Sequence, residues 1–415
     1  MTVSEFDVVV VGAGLVGQAT ALALCGVSNG TGLKVALIDA RDPAGFAKPG
    51  FDARASAITA TSQTMLAALG VWDKVAHTAE RMREIKVTDS RLGATARPTL
   101  LYFADGSERA GSSTHMVENA RLYGALHELL AECDNIAIMA GRRVQSIDCS
   151  GAKAHIGLDD GSTVSAVLVV AADGRNSMVR RSAGIENVGW SYPQHGIVTT
   201  VRHERPHEGV AEEHFLPAGP FAILPLSDNR SSLVWTEDSA IAEQIVSSPD
   251  DVFFDELKRR FGDHLGEIHL AGPRAAFPLS MYLAKSYAAH RVALVGDAAH
   301  SVHPIAGLGF NLGLRDAAEL ADVVLTNARL GLDIGSMSCL HAYEAGRRFD
   351  NVLVALATDG LNRLFSNDNT AVRIIRDLGL GVVDRAPALK RFFMKQAGGQ
   401  NADLPSLMRD DLVRP

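Results

Sequence analysis

The sequence predicts an α/β protein that opens on a Rossmann-like nucleotide-binding unit, and three observations carry that prediction. Phe6–Val11 (FDVVVV) is a continuous apolar, β-branched run of strand length, as expected of a strand covered on both faces. It leads straight into Gly12-Ala13-Gly14-Leu15-Val16-Gly17 and an Ala- and Leu-rich helix over Gln18–Cys25. After the loop Gly26–Gly32, a second strand, Lys34–Asp39 (KVALID), ends on an acid 22 residues beyond Gly17.

Each position has a physical reason. Gly12 permits the tight turn, Gly14 lets a pyrophosphate approach the backbone, and Gly17 lets helix and strand pack closely. The helix N-terminus offers unpaired N–H groups and the positive end of its dipole to the phosphates. Asp39 stands where an acid accepts hydrogen bonds from an adenosine ribose. Since FAD and NAD(P)H share the same ADP, this element alone does not choose between them.

Two further strands end in turns of the same kind. Thr163–Ala172 runs into Asp173-Gly174, with Ser177 and Arg180 in the turn beyond, and Arg291–Val295 runs into Gly296-Asp297. The second continues as AAHSVHPIAGLGFN, through Pro304, Gly307, Gly309 and Asn311, into a helix expected over Leu312–Leu325. An Asp-Gly pair after a strand is by itself an ordinary turn.

Composition narrows the remaining classes. The 415 residues are 47% hydrophobic and 21% charged, which excludes general disorder and allows two or three domains. A net charge of −8 argues against a nucleic-acid partner. Cys25, Cys133, Cys149 and Cys339 are far apart in sequence and form no CxxC pair, so neither a disulfide framework nor a zinc knuckle is expected. Val8–Leu33 is free of charge for 26 residues, long enough to cross a bilayer. Its glycines, and the acidic stretch without Lys or Arg before it, favour strand, turn and helix over a membrane span or signal peptide. A cytoplasmic protein is therefore expected. His300 and His303 lack a third ligand at a metal spacing, and no metal is expected.

The segment GDAAHSVHPIAGLGFNLGLRD (296–316) resembles the flavin signature of the FAD-dependent aromatic-ring hydroxylases, the para-hydroxybenzoate hydroxylase-like group, and within it most resembles the ubiquinone-biosynthesis hydroxylases. FDARASAIT (51–59), MVENARLYGAL (116–126), ADGRNSMVR (172–180), SYPQHGIV (191–198), GPFAILPL (219–226), FPLSMYLAKSY (277–287), RFDNVLVALATDGLNRLF (348–365) and FFMKQAGG (392–399) follow in family order, so the likeness covers essentially the whole chain.

The resemblance implies a three-layer ββα FAD-binding domain built from 1–79, 108–184 and 277–345. It also implies an interleaved β-sheet substrate domain from 80–107 and 185–276, and a helical C-terminal region from 346–415. Bound FAD would be held by Gly12, Gly14, Gly17, Asp39, Arg54, Asn119, Asp173, Gly174, Gly296, Asp297, Gly307, Gly309 and Asn311. In this reading Arg54 donates to the phosphates, Asp297 accepts from the ribityl hydroxyls, and the helix opening near Asn311 faces the flavin pyrimidine. Asn119 is either such a contact or a plain N-cap for a helix over 120–130. The flavin-facing loop with Pro304, Gly307 and Gly309 flanks the reacting ring, and no protein group is nominated as a general base. One departure is Leu308, where the family commonly has Gln, so no role is carried to that side chain.

The implied reaction is hydroxylation of a phenolic ring with O2 and NAD(P)H, the latter a transient co-substrate near Asp173-Gly174. The substrate would be a hydrophobic polyprenyl-phenol of ubiquinone biosynthesis, with Tyr192, Phe221, Leu224, Pro225 and Phe277 as candidate pocket walls. Peripheral membrane association, a biosynthetic complex and a homo-oligomer are all compatible with so greasy a substrate. Two rival readings share the nucleotide fold: a flavin-dependent isoprenoid reductase, and a non-catalytic FAD-binding subunit, which Leu308 would favour.

Overall fold

A computed structural model of the chain describes residues 4–26, 32–48, 50–89, 99–104, 114–366 and 404–409. The expected helical stretches AVRIIRDLGLGVV (371–383) and FFMKQAGG lie outside them.

The first sheet forms around the strand Ser4–Val11, whose inner half is wholly buried, as its β-branched run requires. It pairs in parallel with Val35–Asp39 on one side and Thr163–Ala171 on the other. Ile136–Ala140 and Val292–Leu294 extend the parallel set outward. The first half of Thr163–Ala171 also pairs antiparallel with Ala154–Leu158, which pairs with Val144–Asp148. The helices Leu15–Cys25, Asn119–Ala131 and Gly309–Arg329 pack together against the sheet and share its core. All four nucleotide signals therefore fall at the carboxyl ends of parallel strands, where open α/β sheets bind ligands.

The second sheet has nine strands among the described residues. Its spine is Asn187–His203, flanked by Ala275–Ala284 and Arg230–Asp238, with Gly219–Leu226, Val210–Leu216, Glu84–Asp89 and Thr99–Ala104 following in order. Alternation gives this sheet two unlike faces. Ile197, Phe221, Ile223, Leu233 and Trp235 point backward, into a core closed by the helices Ser239–Ser247 and Asp250–Phe261. On the front, Phe215 packs with Ile305 and Phe365, while Ala222, Leu224 and Val234 are only half-buried. A small third sheet, Ala55–Ile58, Thr114–Glu118 and Glu80–Met82, lies beside it, and Arg230 grips Glu118 across the gap at 2.8 Å.

Two expected boundaries cut through elements. Position 277 falls inside Ala275–Ala284, which belongs wholly to the second sheet and carries His300–Ser301 on its edge. Position 346 falls inside the 29-residue helix Met337–Phe365, which spans both sheets. Its first part holds the first sheet, where Tyr343 donates to the Leu294 carbonyl at 2.6 Å. Its last part covers the front of the second, where Phe365 stacks on Phe215 with ring centroids 3.8 Å apart. Cys25 and Cys133, distant in sequence, bring their sulfurs to 3.6 Å as free thiols.

Candidate active site

The glycine turn is built to contact. Gly12 adopts φ +103°, and a Cβ there would lie 2.3 Å from the Ala172 carbonyl oxygen. A Cβ on Gly17 would lie 1.9 Å from the Gly12 oxygen, so helix and turn meet there backbone to backbone. Gly14 differs: a Cβ on it would meet no protein atom within 4 Å, and it caps the helix Leu15–Cys25, whose first turn carries no acid. That open place at a helix N-terminus is the cradle a pyrophosphate needs. Asp39 accepts from the Ala13 N–H and the Arg41 N–H, both at 2.8 Å, so the acid also braces the turn it serves.

Arg54 is gripped by Asp52, with its Nε and Nη2 each 2.8 Å from a carboxylate oxygen. Burial works against an ionised Asp52, but Arg54 and Asn119 hold it below the ordinary carboxylate range. The Asp52 bond raises the Arg54 guanidinium, and Asp297 adds to the same field, so these two expected cofactor residues share one neighbourhood. The N-cap alternative for Asn119 is corrected: Glu118 is the cap and Asn119 begins the helix. Its amide donates to Asp52 at 3.0 Å and accepts from Ser56 at 2.7 Å, positioning Arg54 from behind. Asp52 and Ser56 lie within the family-like segment FDARASAIT, but sequence reasoning assigned them no role.

Ser177 caps the short helix Met178–Ser182, and Asp173 Oδ2 accepts from its first N–H groups, Met178 at 2.7 Å and Val179 at 3.2 Å; the buried Asp173 Oδ1 has no partner among the described residues. Gly174 stands open in the left-handed region, φ +79°. Arg180 donates to the Ala298 carbonyl at 2.8 Å, tying this turn to the turn Gly296–Ala298. Asp297 projects from the latter, exposed and without a hydrogen bond to the described residues.

Behind Asp297 lies a buried network that the motif does not advertise. Asp316, wholly buried, accepts from the Gly296 N–H at 3.0 Å, lies 2.5 Å from His300 Nε2, and accepts from Arg347 at 2.9 Å and Asn351 at 3.0 Å. Burial alone would raise its carboxyl, but His300 and Arg347 pull it down to about 2.

The flavin-facing loop turns through Pro304–Ala306 to Gly307, at φ +60°, where a Cβ would still find room beside Ala57. The helix starts at Gly309, three residues before the expected Leu312, with Leu308 as its cap. A leucine there supplies backbone only. The Asn311 side chain turns into the protein: it donates to the Ala57 carbonyl at 2.7 Å and accepts from the Thr59 N–H at 3.1 Å, fastening the loop to the third sheet. Its expected contact with the cofactor is left to its backbone.

The polar groups at the substrate end were only partly legible. Asn187–His203 breaks register between Ser191 and His195, a bulge that re-aims Tyr192 and Gln194. Tyr192 donates to Asp359 at 2.6 Å, and Gln194 accepts from Asn362 at 3.0 Å, so both side chains reach the last helix. His303, 1% exposed, stands edge-on to Tyr192 with both ring nitrogens unpartnered among the described residues, and burial holds it down to about 4. Of the expected pocket walls, Leu224 is on the front face, and Phe277 lies under Arg54 at 5.3 Å. Phe221 is corrected: it is wholly buried in the rear core against Trp235. Pro225, alternating with Leu224, shares that rear side. Among the described residues, no cluster of three metal-ligating side chains occurs.

An open cradle at Gly14, an unengaged Asp297, an orphaned Asp173 oxygen and a charged Arg54 in the same field fit FAD along the strand ends. Comparison with known proteins agrees. Residues 5–348 match the family described as FAD binding domain. The chain is 46% identical over 408 residues to the ubiquinone hydroxylase UbiL of Rhodospirillum rubrum, covering 97% of this chain and 92% of that one. It is 34% identical over 439 residues to the mitochondrial ubiquinone biosynthesis monooxygenase COQ6 of Homo sapiens, covering 95% and 92%. The fold is that of the p-nitrophenol 4-monooxygenase PnpA of Pseudomonas putida DLL-E4, with a TM-score of 0.77 at 19% identity over 96% of this chain and 100% of that one. Fold and site thus define an FAD-dependent monooxygenase. The chain belongs to the family of the ubiquinone-biosynthesis hydroxylases.

Proposed function

We propose that this monooxygenase hydroxylates the phenolic ring of a polyprenylated ubiquinone precursor, taking electrons from NAD(P)H. The observation that carries the reading is the front of the second sheet. Half-buried Ala222, Leu224 and Val234 make an apolar surface beside the flavin loop, with Ile305 and Phe215 in contact between the two. FAD, once bound, supplies the activation of O2. The chain's own residues orient the ring against the loop, exclude water, and hold the cofactor through the strand-end turns and Arg54.

NAD(P)H needs a second, transient approach. A cavity of about 410 Å³ beside Asp173-Gly174, with Arg175, Asn176 and Arg180 in its wall, supports binding there. Among the described residues no helix is long and apolar enough to cross a membrane. Exposed Phe349 and Leu356 on the last helix suit peripheral contact with the bilayer that holds the substrate. Vesicle flotation tests that contact.

The test of the reaction is phenol-stimulated NAD(P)H oxidation by the purified yellow protein under labelled O2. One labelled oxygen should enter the product. Product formed at the same rate under strict anaerobiosis would remove the monooxygenase reading and leave the reductase.

A further inference from the structure

Glu213 is a carboxylate without an evident occupation. It lies on Val210–Leu216 two residues before Phe215, so its side chain leaves the same face of the sheet, about 7 Å along the strand. Phe215 fixes which face that is, because it packs with Ile305 of the flavin loop and Phe365 of the last helix. Across the sheet, Glu213 stands opposite Ala222 and Val87, both apolar. Its neighbours Glu212 and His214 point to the rear, where Glu212 is paired with His214 at 3.2 Å and His264 at 2.9 Å. Glu213 has no hydrogen bond or ion pair among the described residues, yet part of it stays accessible on the front of the sheet.

A lone carboxyl on an apolar wall is destabilising unless it is protonated or partnered. Burial alone pushes this one up to about 8. The charged groups of the surrounding elements do not contribute: Arg83 at the start of the strand, the Arg230–Glu118 pair, and Asp359 and Arg363 on the last helix add nothing to its shift. A group so tuned suits proton transfer near neutral pH.

We propose that Glu213 is the catalytic proton acceptor for the phenolic hydroxyl of the substrate, a role that rests on the phenol reading above. The phenol O–H bond breaks, its proton passes to a Glu213 carboxylate oxygen, and the electron pair stays on the phenolate, enriching the ring for oxygen transfer. No oxidant or reductant takes part in this step.

The experiment compares wild-type holoenzyme with Glu213→Gln, using 2-farnesylphenol and its methyl ether as probes. Melting temperature and flavin content are controls, and neither should fall, since Gln removes a lone carboxyl and keeps its shape. In oxidised enzyme without NAD(P)H, flavin absorbance reports binding: wild type above about pH 8 should prefer the phenol, and the variant should lose about tenfold of that preference. Hydroxylation by the variant near pH 8 should fall about a hundredfold and recover as pH approaches about 10, where the phenol ionises unaided. A variant with the wild-type rate and pH profile overturns the proposal. So does a loss that high pH does not restore while flavin and melting temperature stay intact. Wild type that binds phenol and ether alike, and hydroxylates neither, defeats the phenol reading itself, and this shows without any variant.

Discussion

Asp297 and Asp316 sit a few ångströms of backbone apart and do opposite things. Asp297 projects outward and is free to accept ligand hydroxyls, so Asp297→Ala should leave the fold intact and weaken FAD about tenfold or more, the worth of one charge-assisted hydrogen bond. Flavin absorbance per mole of purified protein reads it; full retention would remove that assignment. Asp316 faces inward, and breaking its buried partnership with Arg347 leaves an uncompensated charge. Arg347→Ala should destabilise by about 3–5 kcal/mol, read by denaturant unfolding. Because the folded-state carboxyl of Asp316 is depressed from 3.8 to about 2, its contribution is present above pH 3.8 and is lost as pH falls toward 2. The acid limb of the stability curve should therefore be shallower in the variant. The outward position of Asp297 agrees with the motif that singled it out. The roles of Asp316 and Asp359 were not legible, since Arg347 and Tyr192 lie far off in sequence and only folding brings them near, while Asp52, two residues from Arg54, carries no sign in the sequence of which group it grips.

At the scale of elements, the three glycines of the first turn separate into two jobs. Gly17→Ala puts a methyl into the Gly12 carbonyl and should lower the melting temperature sharply. Gly14→Ala meets nothing in the protein at ordinary dihedrals, so its apo stability should stay within about 0.5 kcal/mol of wild type while FAD binding drops. Equal losses of stability in both would refute the division. The strands and helices around these turns were legible from periodicity, and the first strand, helix and acid lie within two or three residues of their expected limits. Which face of a strand met the substrate was not. Phe221 and Leu224 both read as apolar wall residues, and alternation separates them only once Phe215 and Trp235 fix the two sides. The bulge at Tyr192–Gln194 left no trace beyond Pro193, because a register break depends on both strands.

Across the whole molecule, the last helix joins what the two sheets keep apart. It binds the nucleotide turn through Arg347 and Asn351, and the substrate sheet through Asp359, Asn362 and Phe365. Phe365→Ala should loosen its far end alone: amides of about 354–366 should exchange faster with deuterium, while those of Ser4–Val11 keep their protection. Uniform acceleration of both would show that the helix is one indivisible unit with the core. Interleaving of the two sheets was legible as a family pattern, but the helix crossing the expected boundary at 346 was not, since nothing local marks where a continuous helix changes partners.

That bridging helix bears on how the protein is made. The Gly296 turn is braced by Arg347 and Asn351, which leave the ribosome some fifty residues after it. Until they arrive, Asp316 has His300 but not the guanidinium and amide that complete its partnership, and the seat for the cofactor is unfinished. Flavin capture is thus a late event of biogenesis, and a nascent chain halted before the last helix should emerge colourless.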